Sequence, residues 1–200
     1  MGEMIGKVYL DTTYYPGKDL YSDGAIEDEM LAIARDYTPQ EFNSVIREKE
    51  SWPILYHFSH IRENILGWLP FTGEEKVLEV GAGCGAVTGV LCRKAKEVTS
   101  IDLSMKRSRI NAYRHKDQDN LKILVGNFQE IEQNLTEKYD CITLIGVFEY
   151  GEAYIQSEDP YVDFLKIIAS HLKPDGKIVL AIENRLGLKY WAGCTEDHFG

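Results

Sequence analysis

The chain has 200 residues and a formal net charge of −10, with 44% hydrophobic and 27% charged residues. This composition is typical of one globular domain and excludes an intrinsically disordered chain. The negative net charge argues against a general nucleic-acid-binding protein, because affinity for phosphates depends mainly on Lys and Arg. No apolar run approaches the roughly 20 residues that a membrane-spanning helix needs.

The N-terminal segment and the cysteines bear on where the protein resides. Residues 1–7 lack the basic and then apolar layout of a secretory signal. The four cysteines form no C-x-x-C pair and have no metal-ligand spacing with histidine. We therefore expect a cytoplasmic protein with reduced thiols and no bound metal. The cysteines are Cys84, Cys92, Cys141 and Cys194.

The first 75 residues, rich in Tyr, Asp, Glu and Trp, are predicted to form an N-terminal extension that is partly helical. Residues 11–24 are predicted as an aromatic, acidic loop, whose tyrosines could form a lid over a ligand. These tyrosines are Tyr14, Tyr15 and Tyr21. Helices are predicted over residues 26–36 and 59–69, where apolar residues recur at helical spacing. The predicted apolar face of the second helix comprises Ile61, Ile65, Trp68 and Leu69.

Residues 76–200 alternate short apolar runs with helical stretches, which predicts parallel strands joined by crossover helices. The runs are continuous, as in strands that are covered on both faces. The predicted strands span residues 76–80, 97–101, 121–125, 141–145 and 177–182. The predicted helices span residues 86–95, 104–115, 161–172 and 186–192. The sequence thus predicts an α/β fold with a doubly wound, mostly parallel sheet.

The strongest local signal is an apolar strand that runs directly into glycines at alternate positions, Gly81, Gly83 and Gly85. Glycine lets a ligand approach the backbone, and the start of the helix that follows attracts negative charge. Asp102 comes seventeen residues after Gly85, at the end of the second predicted strand, where a carboxylate can accept both hydroxyls of a ribose. This spacing favours a site for an adenosine-containing ligand. The alternative is tight strand–helix packing, with an acid that caps the next helix.

On these residues the ligand could be NAD or S-adenosylmethionine. Gly81, Gly83 and Ala86 also satisfy the dinucleotide pattern. Glu79 favours S-adenosylmethionine, because a second carboxylate is unfavourable beside a pyrophosphate and favourable beside the cationic sulfonium and amino groups. The G-x-G-x-G spacing and the 75 residues that precede the domain favour the same ligand.

The segment from Glu79 to Gly85 resembles the first motif of class I S-adenosylmethionine-dependent methyltransferases, and Asp102 resembles their ribose-binding acid. Residues 125–129 resemble the segment that meets the adenine, although Asn127 replaces the more usual Asp. Further similar motifs are residues 139–150 and 172–177, within a resemblance that covers residues 76–191. The resemblance implies a Rossmann-like methyltransferase fold, S-adenosylmethionine as cofactor and S-adenosylhomocysteine as product.

The residues expected to bind the cofactor lie at the carboxyl ends of four predicted strands. They are Glu79, Gly81, Ala82, Gly83, Gly85, Asp102, Leu103, Asn127, Phe128, Gly146 and Val147. Methyl transfer from a sulfonium needs chiefly positioning and the exclusion of water, so the class has no obligatory catalytic signature. Glu149, after the fourth predicted strand, is our first candidate for a general base, and His57 is the second. The alternatives are a solvent-facing carboxylate and a structural histidine.

A narrower resemblance concerns residues 15–24, 57–64 and 181–191. They look like bacterial methyltransferase modules that are fused to, or encoded beside, glycosyltransferases of surface-polysaccharide synthesis. This implies a role in polysaccharide biosynthesis, a small-molecule or saccharide-linked acceptor and a glycosyltransferase partner. Two other functions stay open, a non-catalytic cofactor-binding module that regulates or scaffolds an attached enzyme, and an NAD-dependent oxidoreductase. The oxidoreductase is disfavoured because no Tyr-x-x-x-Lys pair follows the nucleotide motif.

The usual methyltransferase sheet has seven strands, but only residues 183–200 remain after the fifth predicted strand. This stretch is too short for another helix and two strands, so the sequence predicts a fold whose C-terminal strands are missing. An open edge at the fifth strand would invite association with another chain. We expect the N-terminal region, a second copy in a homodimer or residues outside this chain to cover that edge.

Overall fold

One seven-stranded sheet runs through the computed structural model, which describes residues 2–19, 21–155, 157–184 and 186–195. The strands are β1 (Gly2–Ile5), β2 (Val8–Tyr14), β3 (Lys76–Val80), β4 (Glu97–Asp102), β5 (Leu121–Gly126), β6 (Tyr139–Ile145) and β7 (Leu172–Ala181). Their order is β1-β2-β5-β4-β3-β6-β7, and all neighbours are parallel except β1 and β2. The chain reverses its direction of winding between β3 and β6, which is where ligands bind in such sheets. The predicted doubly wound, mostly parallel α/β fold is confirmed.

The helices of the described residues lie before, between and after these strands. They are α1 (Ile26–Asp36), α2 (Phe42–Lys49), α3 (Trp52–Phe58), α4 (Asn64–Gly67), α5 (Thr88–Lys94), α6 (Met105–Arg114), α7 (Phe128–Glu132), α8 (Gly151–Tyr154), α9 (Pro160–Ser170) and α10 (Leu188–Trp191). Two short 3-10 helices add His60–Glu63 and Phe148–Tyr150. The predicted helix over residues 26–36 and the four predicted in the second part of the chain therefore form, with small differences at their ends.

The N-terminal residues form a β-hairpin that the sequence analysis missed. Val8 and Leu10 of β2 are fully buried against one face of the sheet, and β2 pairs in parallel with β5. The prediction of a loop over residues 11–24 is thus wrong for its first four residues. The hairpin covers the β5 edge, so the expectation that the N-terminal region covers the fifth predicted strand is also wrong. That strand is β7, which pairs only with β6 among the described residues.

Side chains of the parallel strands alternate between two apolar layers, one on each face of the sheet. On one face the buried cluster includes Val77, Val98 and, from α5, Leu91. On the other face it includes Leu78 and, from α9, Ile168. Burying an aliphatic side chain of this size contributes about 1.5–3 kcal/mol. The strands are therefore covered on both faces, as their continuous apolar runs predict.

A third apolar cluster attaches the N-terminal helices to the sheet. Met30 of α1, Phe42 of α2 and Phe58 of α3 pack with Ile110 of α6 and with Cys84. The rings of Phe42 and Phe58 meet edge to face with their centroids 4.7 Å apart. This packing holds α1, α2 and α3 over α6, which begins just beyond the carboxyl end of β4.

Two predicted elements differ in the structure. Residues 59–69 form a 3-10 turn followed by the one-turn helix α4, and the predicted apolar face is exposed, with Ile61 63% and Trp68 71% accessible. The fifth predicted strand begins five residues earlier than expected, at Leu172. Its pairing with β6 shifts register between Leu172 and Lys177, so residues 173–176 form a bulge inside β7.

The described residues offer neither a membrane span nor a metal cage. No helix among them has the length and apolar character to cross a bilayer. No group of three or more His, Cys, Asp or Glu side chains in these ranges is arranged to hold a metal ion. Cys84, Cys92 and Cys141 are buried free thiols, and burial raises the pKa of each, that of Cys84 to about 12.

Candidate active site

The glycine loop, residues 81–85, crosses the carboxyl end of β4, where the amides of Gly81 and Ala82 both donate to the carbonyl of Ile101. Gly81, Gly83 and Gly85 all have positive φ, at 74°, 54° and 74°. This backbone region is costly for residues with a Cβ, by roughly 1–2 kcal/mol. The predicted glycines therefore meet a real conformational need, although that need alone does not identify a ligand.

The space in front of each glycine shows whether close packing or ligand binding explains the residue. A Cβ on Gly81 would lie 1.9 Å from Cγ2 of Val147, and a Cβ on Gly85 would lie 2.2 Å from Oδ1 of Asn111. A Cβ on Gly83 would meet no atom of the described residues within 4 Å. Tight packing thus explains two of the glycines but not the third. Gly83 presents its backbone to open space, as a ligand site requires.

Asp102 lies directly against this open backbone. Its Oδ2 accepts from the Gly83 amide at 2.7 Å, and its Oδ1 accepts from the Ser104 amide at 2.9 Å. Burial raises the pKa of this carboxyl, and the two amide donors oppose that rise. Each carboxylate oxygen can accept a further hydrogen bond. A diol next to Gly83 would find two acceptors there.

Glu79 lies near the end of β3, two residues before the glycine loop, and its carboxylate is buried. The residue is 2% exposed, and its Oε2 accepts from the hydroxyls of Thr88 at 2.7 Å and Ser100 at 2.5 Å. Its buried Oε1 has no hydrogen-bond partner among the described residues. Burial raises the pKa of Glu79 to about 7. This group is therefore poised to change charge near neutral pH, and a nearby cation would favour its ionised form.

Other predicted cofactor residues follow β4 and β5. Ala82 is buried in the loop, and Leu103 is half-buried next to Asp102. Asn127 caps α7, its Oδ1 accepting from the Gln129 amide at 2.9 Å. That oxygen retains a lone pair for another donor. Phe128 is half-buried and packs 5.6 Å from the ring of Phe164, which fixes its position beside the sheet.

The carboxyl end of β6 brings three more predicted residues to the same opening. Val147 contacts Gly81, as described above, and so joins β6 to the glycine loop. Gly146 is exposed with a φ of 66°, and Oε1 of Glu149 lies 3.8 Å from the position that a Gly146 Cβ would take. The candidate base thus stands at the end of the strand that borders the loop.

His57 lies elsewhere, inside an ion-pair network. Its Nε2 is 3.4 Å from Oδ2 of Asp23, which also forms an ion pair with Nη2 of Arg107 at 2.6 Å. Nε of Arg107 donates to Glu27 at 2.8 Å. Burial, helped by the charge of Arg107, lowers the pKa of His57 to about 4. A base of that strength accepts protons weakly at neutral pH, so the geometry gives the predicted role of His57 no support.

A strap, residues 15–19 and 21–25, passes over α6 beside Asp102. The carboxylate of Asp19 accepts from the amides of Met105 at 2.6 Å and Lys106 at 3.2 Å, at the first turn of α6. The ring of Tyr21 lies 4.3 Å from the Arg107 guanidinium and 6.2 Å from the ring of Tyr150. Of the three predicted lid tyrosines, Tyr21 lies here in the strap, Tyr15 begins the strap, and Tyr14 ends β2.

Sequence reasoning missed Asp19 and Arg107, which attach the strap to α6. No local pattern marks them, because each partner lies 80 or more positions away in the chain. A retrospective signal exists only for Arg107. A charged residue in the first turn of a helix that also buries Ile110 and Ala112 must find an anionic partner when it is itself buried.

Comparison with known proteins identifies the family of the chain. A family model described as a methyltransferase domain matches residues 78–178. The ribosomal RNA small subunit methyltransferase A of Borreliella burgdorferi is 30% identical over 82 residues, which are 41% of this chain and 29% of that protein. An uncharacterized methyltransferase of Staphylococcus carnosus is 28% identical over 153 residues, or 76% of this chain and 67% of the relative. The chain thus spans under a third of the ribosomal RNA methyltransferase that it matches.

Solved structures share the fold. Phosphoethanolamine N-methyltransferase 1 of Haemonchus contortus, in complex with phosphoethanolamine and S-adenosylhomocysteine, aligns with a TM-score of 0.56 at 21% identity over 82% of this chain and 34% of its own. A DhpI–SAM–HEP complex aligns with a TM-score of 0.51 at 19% identity over 89% of this chain and 75% of its own. The oxidoreductase alternative finds no support in these comparisons. Since the family model matches half of the chain, the chain belongs to the methyltransferase domain family, whose members use S-adenosylmethionine as methyl donor.

Proposed function

We propose that this domain binds S-adenosylmethionine at the glycine loop and transfers its methyl group to a small-molecule acceptor. The narrower sequence resemblance favours a saccharide-linked acceptor, with a glycosyltransferase as neighbour or fusion partner. One observation carries the proposal. The backbone of Gly83 faces open space next to the Asp102 carboxylate. At the flanking glycines, Val147 and Asn111 occupy the space that a Cβ would need.

The residues present suit this cofactor. Asp102 would hold the ribose, because each of its oxygens has one amide donor and room for one hydroxyl. Glu79 would complement the positive charge of the methionine end, because its Oε1 has no partner among the described residues and its charge is buried close by. Asn127 and Phe128 would border the adenine at the end of β5. An NAD pyrophosphate would instead bring negative charge toward two carboxylates.

The bound cofactor supplies a methyl group that is already activated by the positive sulfur. The work left to the protein is to exclude water, to orient the acceptor and to receive its proton. The rings of Tyr21 and Tyr150, 6.2 Å apart, would border the opening on the β6 side and limit the access of water there. The acceptor oxygen or nitrogen would take this methyl group, the sulfur would keep the electron pair of its bond to carbon, and the acceptor would give up a proton. The acceptor proton passes to Glu149, which stands at the end of β6.

Binding and turnover test the proposal separately. Calorimetry with S-adenosylmethionine, S-adenosylhomocysteine and NAD should show binding of the first two only. Radiolabelled S-adenosylmethionine, incubated with a panel of glycans, sugar nucleotides and small amines, should then label one class of acceptor. Tight binding of NAD, or no binding of S-adenosylhomocysteine, would refute the proposal.

The Glu149→Gln variant tests the proposed base. For a hydroxyl acceptor we expect turnover to fall by about 100-fold, the order expected for a lost general base, with unchanged cofactor affinity. Glu152→Gln is the matched control, since Glu152 is an exposed carboxylate three residues further along the chain. Equal turnover in the two variants would show that Glu149 is not the general base. The proposed cofactor site would not be affected by this result.

A further inference from the structure

We propose that Asn111 and His115 are positioning residues that hold the glycine loop in the shape the cofactor needs. Neither belongs to a sequence motif of the site, and both are buried. They lie four residues apart, Asn111 on α6 and His115 at its C-cap, so both point toward the same side of the helix. The inference rests on the proposed position of the cofactor at the loop.

His115 fixes the end of the glycine loop. Its Nε2 lies 3.0 Å from the carbonyl oxygen of Gly85. A carbonyl can only accept, so the ring must carry its proton on Nε2. Burial and the neighbouring Arg114 lower the pKa of His115 to about 3, which keeps the ring neutral at physiological pH. The ring therefore holds one orientation of the Gly85 peptide, at a residue whose φ of 74° is already unusual.

Asn111 links the loop to the carboxylate beneath it. Its Oδ1 occupies the space that a Cβ of Gly85 would need. Its Nδ2 donates to Oγ1 of Thr88 at 3.1 Å, and the Thr88 hydroxyl donates to Glu79 at 2.7 Å. Ser100 donates to the same oxygen of Glu79 from β4. One chain of hydrogen bonds thus runs from α6 through the first residue of α5 to β3.

This arrangement differs from ordinary burial of a polar side chain, as a second histidine shows. His171 is 5% exposed and His115 is 8% exposed, so the two are equally enclosed. Nε2 of His171 faces Glu132 at 3.2 Å, and its carbonyl accepts from the Tyr139 amide at the amino end of β6. It lies at the amino ends of the strands, whereas the glycine loop lies at their carboxyl ends. His171 is therefore a control for loss of stability without loss of loop geometry.

The affinity for S-adenosylhomocysteine, measured by calorimetry on protein that circular dichroism shows to be folded, tests the inference. Loss of one buried hydrogen bond in His115→Leu or Asn111→Leu should weaken binding by about tenfold. His115→Gln keeps an N–H donor of similar reach and should bind within about threefold of the wild type. His171→Leu should lose comparable thermal stability and keep its affinity. Equal affinities for wild type, His115→Leu, Asn111→Leu and His171→Leu would overturn the inference.

A second pair of variants covers the case in which His115→Leu does not fold. Thr88→Val breaks the hydrogen-bond chain at its middle with little change of volume, whereas Thr88→Ser keeps the hydroxyl. We expect Thr88→Val to bind S-adenosylhomocysteine about tenfold more weakly than Thr88→Ser, as for one lost buried hydrogen bond. Equal affinity in the two would contradict the inference. Wild-type protein that binds no S-adenosylhomocysteine would refute the proposed function instead, so the two failures are distinguishable.

Discussion

The two halves of the site, at the ends of β3 and β4 and at the end of β6, are built in different ways. The first half is buried, and its polar groups bind one another, with Glu79, Thr88 and Asn111 in one chain of hydrogen bonds. The second half is half-buried or exposed, and its boundary includes the strap residue Tyr21. A rigid half suits a cofactor that never varies, and an adjustable half suits an acceptor that differs among relatives.

Beyond Tyr15, which packs against the apolar core of the sheet, the strap is attached mainly by charged side chains. Most of its described residues are exposed, and its main fixed points are Asp19 on the amides of α6 and Asp23 on Arg107. Segments with few buried apolar contacts open at low free-energy cost. The cofactor half is therefore held by buried hydrogen bonds, while the strap is held mainly at Asp19 and Asp23.

The substitutions Gly83→Ala and Gly85→Ala should have the largest effects, one on binding and the other on stability. Gly83→Ala should leave the protein folded, at a cost of about 1–2 kcal/mol for its positive φ, because no atom occupies the Cβ position. It should weaken S-adenosylhomocysteine binding by about 100-fold, since the Cβ enters the space in front of the backbone. Gly85→Ala should instead lose about 3 kcal/mol of stability through strain and the clash with Asn111. Calorimetry and urea denaturation measure the two effects, and unimpaired binding by Gly83→Ala would mean that no ligand lies there.

The Asp102→Asn variant tests the acid of the cofactor half. Loss of charge-assisted hydrogen bonds to two hydroxyls should weaken S-adenosylhomocysteine binding by about 10- to 100-fold. Asp140→Asn is the matched control at the amino ends of the strands, where that carboxylate pairs with Lys173 and accepts from the Lys76 amide. The control should lose some stability and keep its affinity. Similar affinities in both variants would show that Asp102 does not bind the ribose.

The features that the sequence predicted differ in kind from those that it missed. The strands and the glycine loop were predictable, because an apolar run, alternate glycines and a following acid are local patterns. Contacts between distant segments were not. The pairing of β2 with β5 and the bond from Asp19 to α6 depend on residues that fold together only in the tertiary structure.

Two residues show why local chemistry can mislead. His57 resembles a base in sequence, but α3 buries it beside Arg107, and its pKa falls. Glu79 precedes the glycines and so suggests a carboxylate inside the opening, but strand alternation directs it beneath the loop toward Thr88 and Ser100. In both cases the residue type was informative and its direction was not. Trp68 is a different kind of mismatch. The helical spacing predicted that it belongs to a buried apolar face, but the residue is exposed.

The pH dependence of the Glu79→Gln variant sharpens the account of the buried half. The folded state raises the pKa of Glu79 from 4.5 to about 7, so its contribution to stability is present below pH 4.5 and is lost as the pH rises through 7. Glutamine does not titrate, so the variant should gain about 2 kcal/mol over the wild type between pH 5 and pH 8. It should also bind S-adenosylmethionine more weakly relative to S-adenosylhomocysteine, because only the former carries the sulfonium charge. Urea denaturation at pH 5 and pH 8 measures the change in stability, and calorimetry with both ligands measures the ratio of their affinities. An unchanged affinity ratio would mean that Glu79 does not interact with the sulfonium charge.

Removal of one strap ring should have the smallest effect, on rates and not on stability. Tyr21→Ala loses the contact with the Arg107 guanidinium and the edge contact with Tyr150. Such contacts contribute about 0.5–1.5 kcal/mol each, so S-adenosylhomocysteine should dissociate about threefold to tenfold faster. Tyr37→Ala is the control, since Tyr37 is as exposed as Tyr21, at 39%, and follows the far end of α1. If stopped-flow dissociation rates are equal in the two variants, the strap does not close the site, and the β6 half must exclude water with its own residues alone.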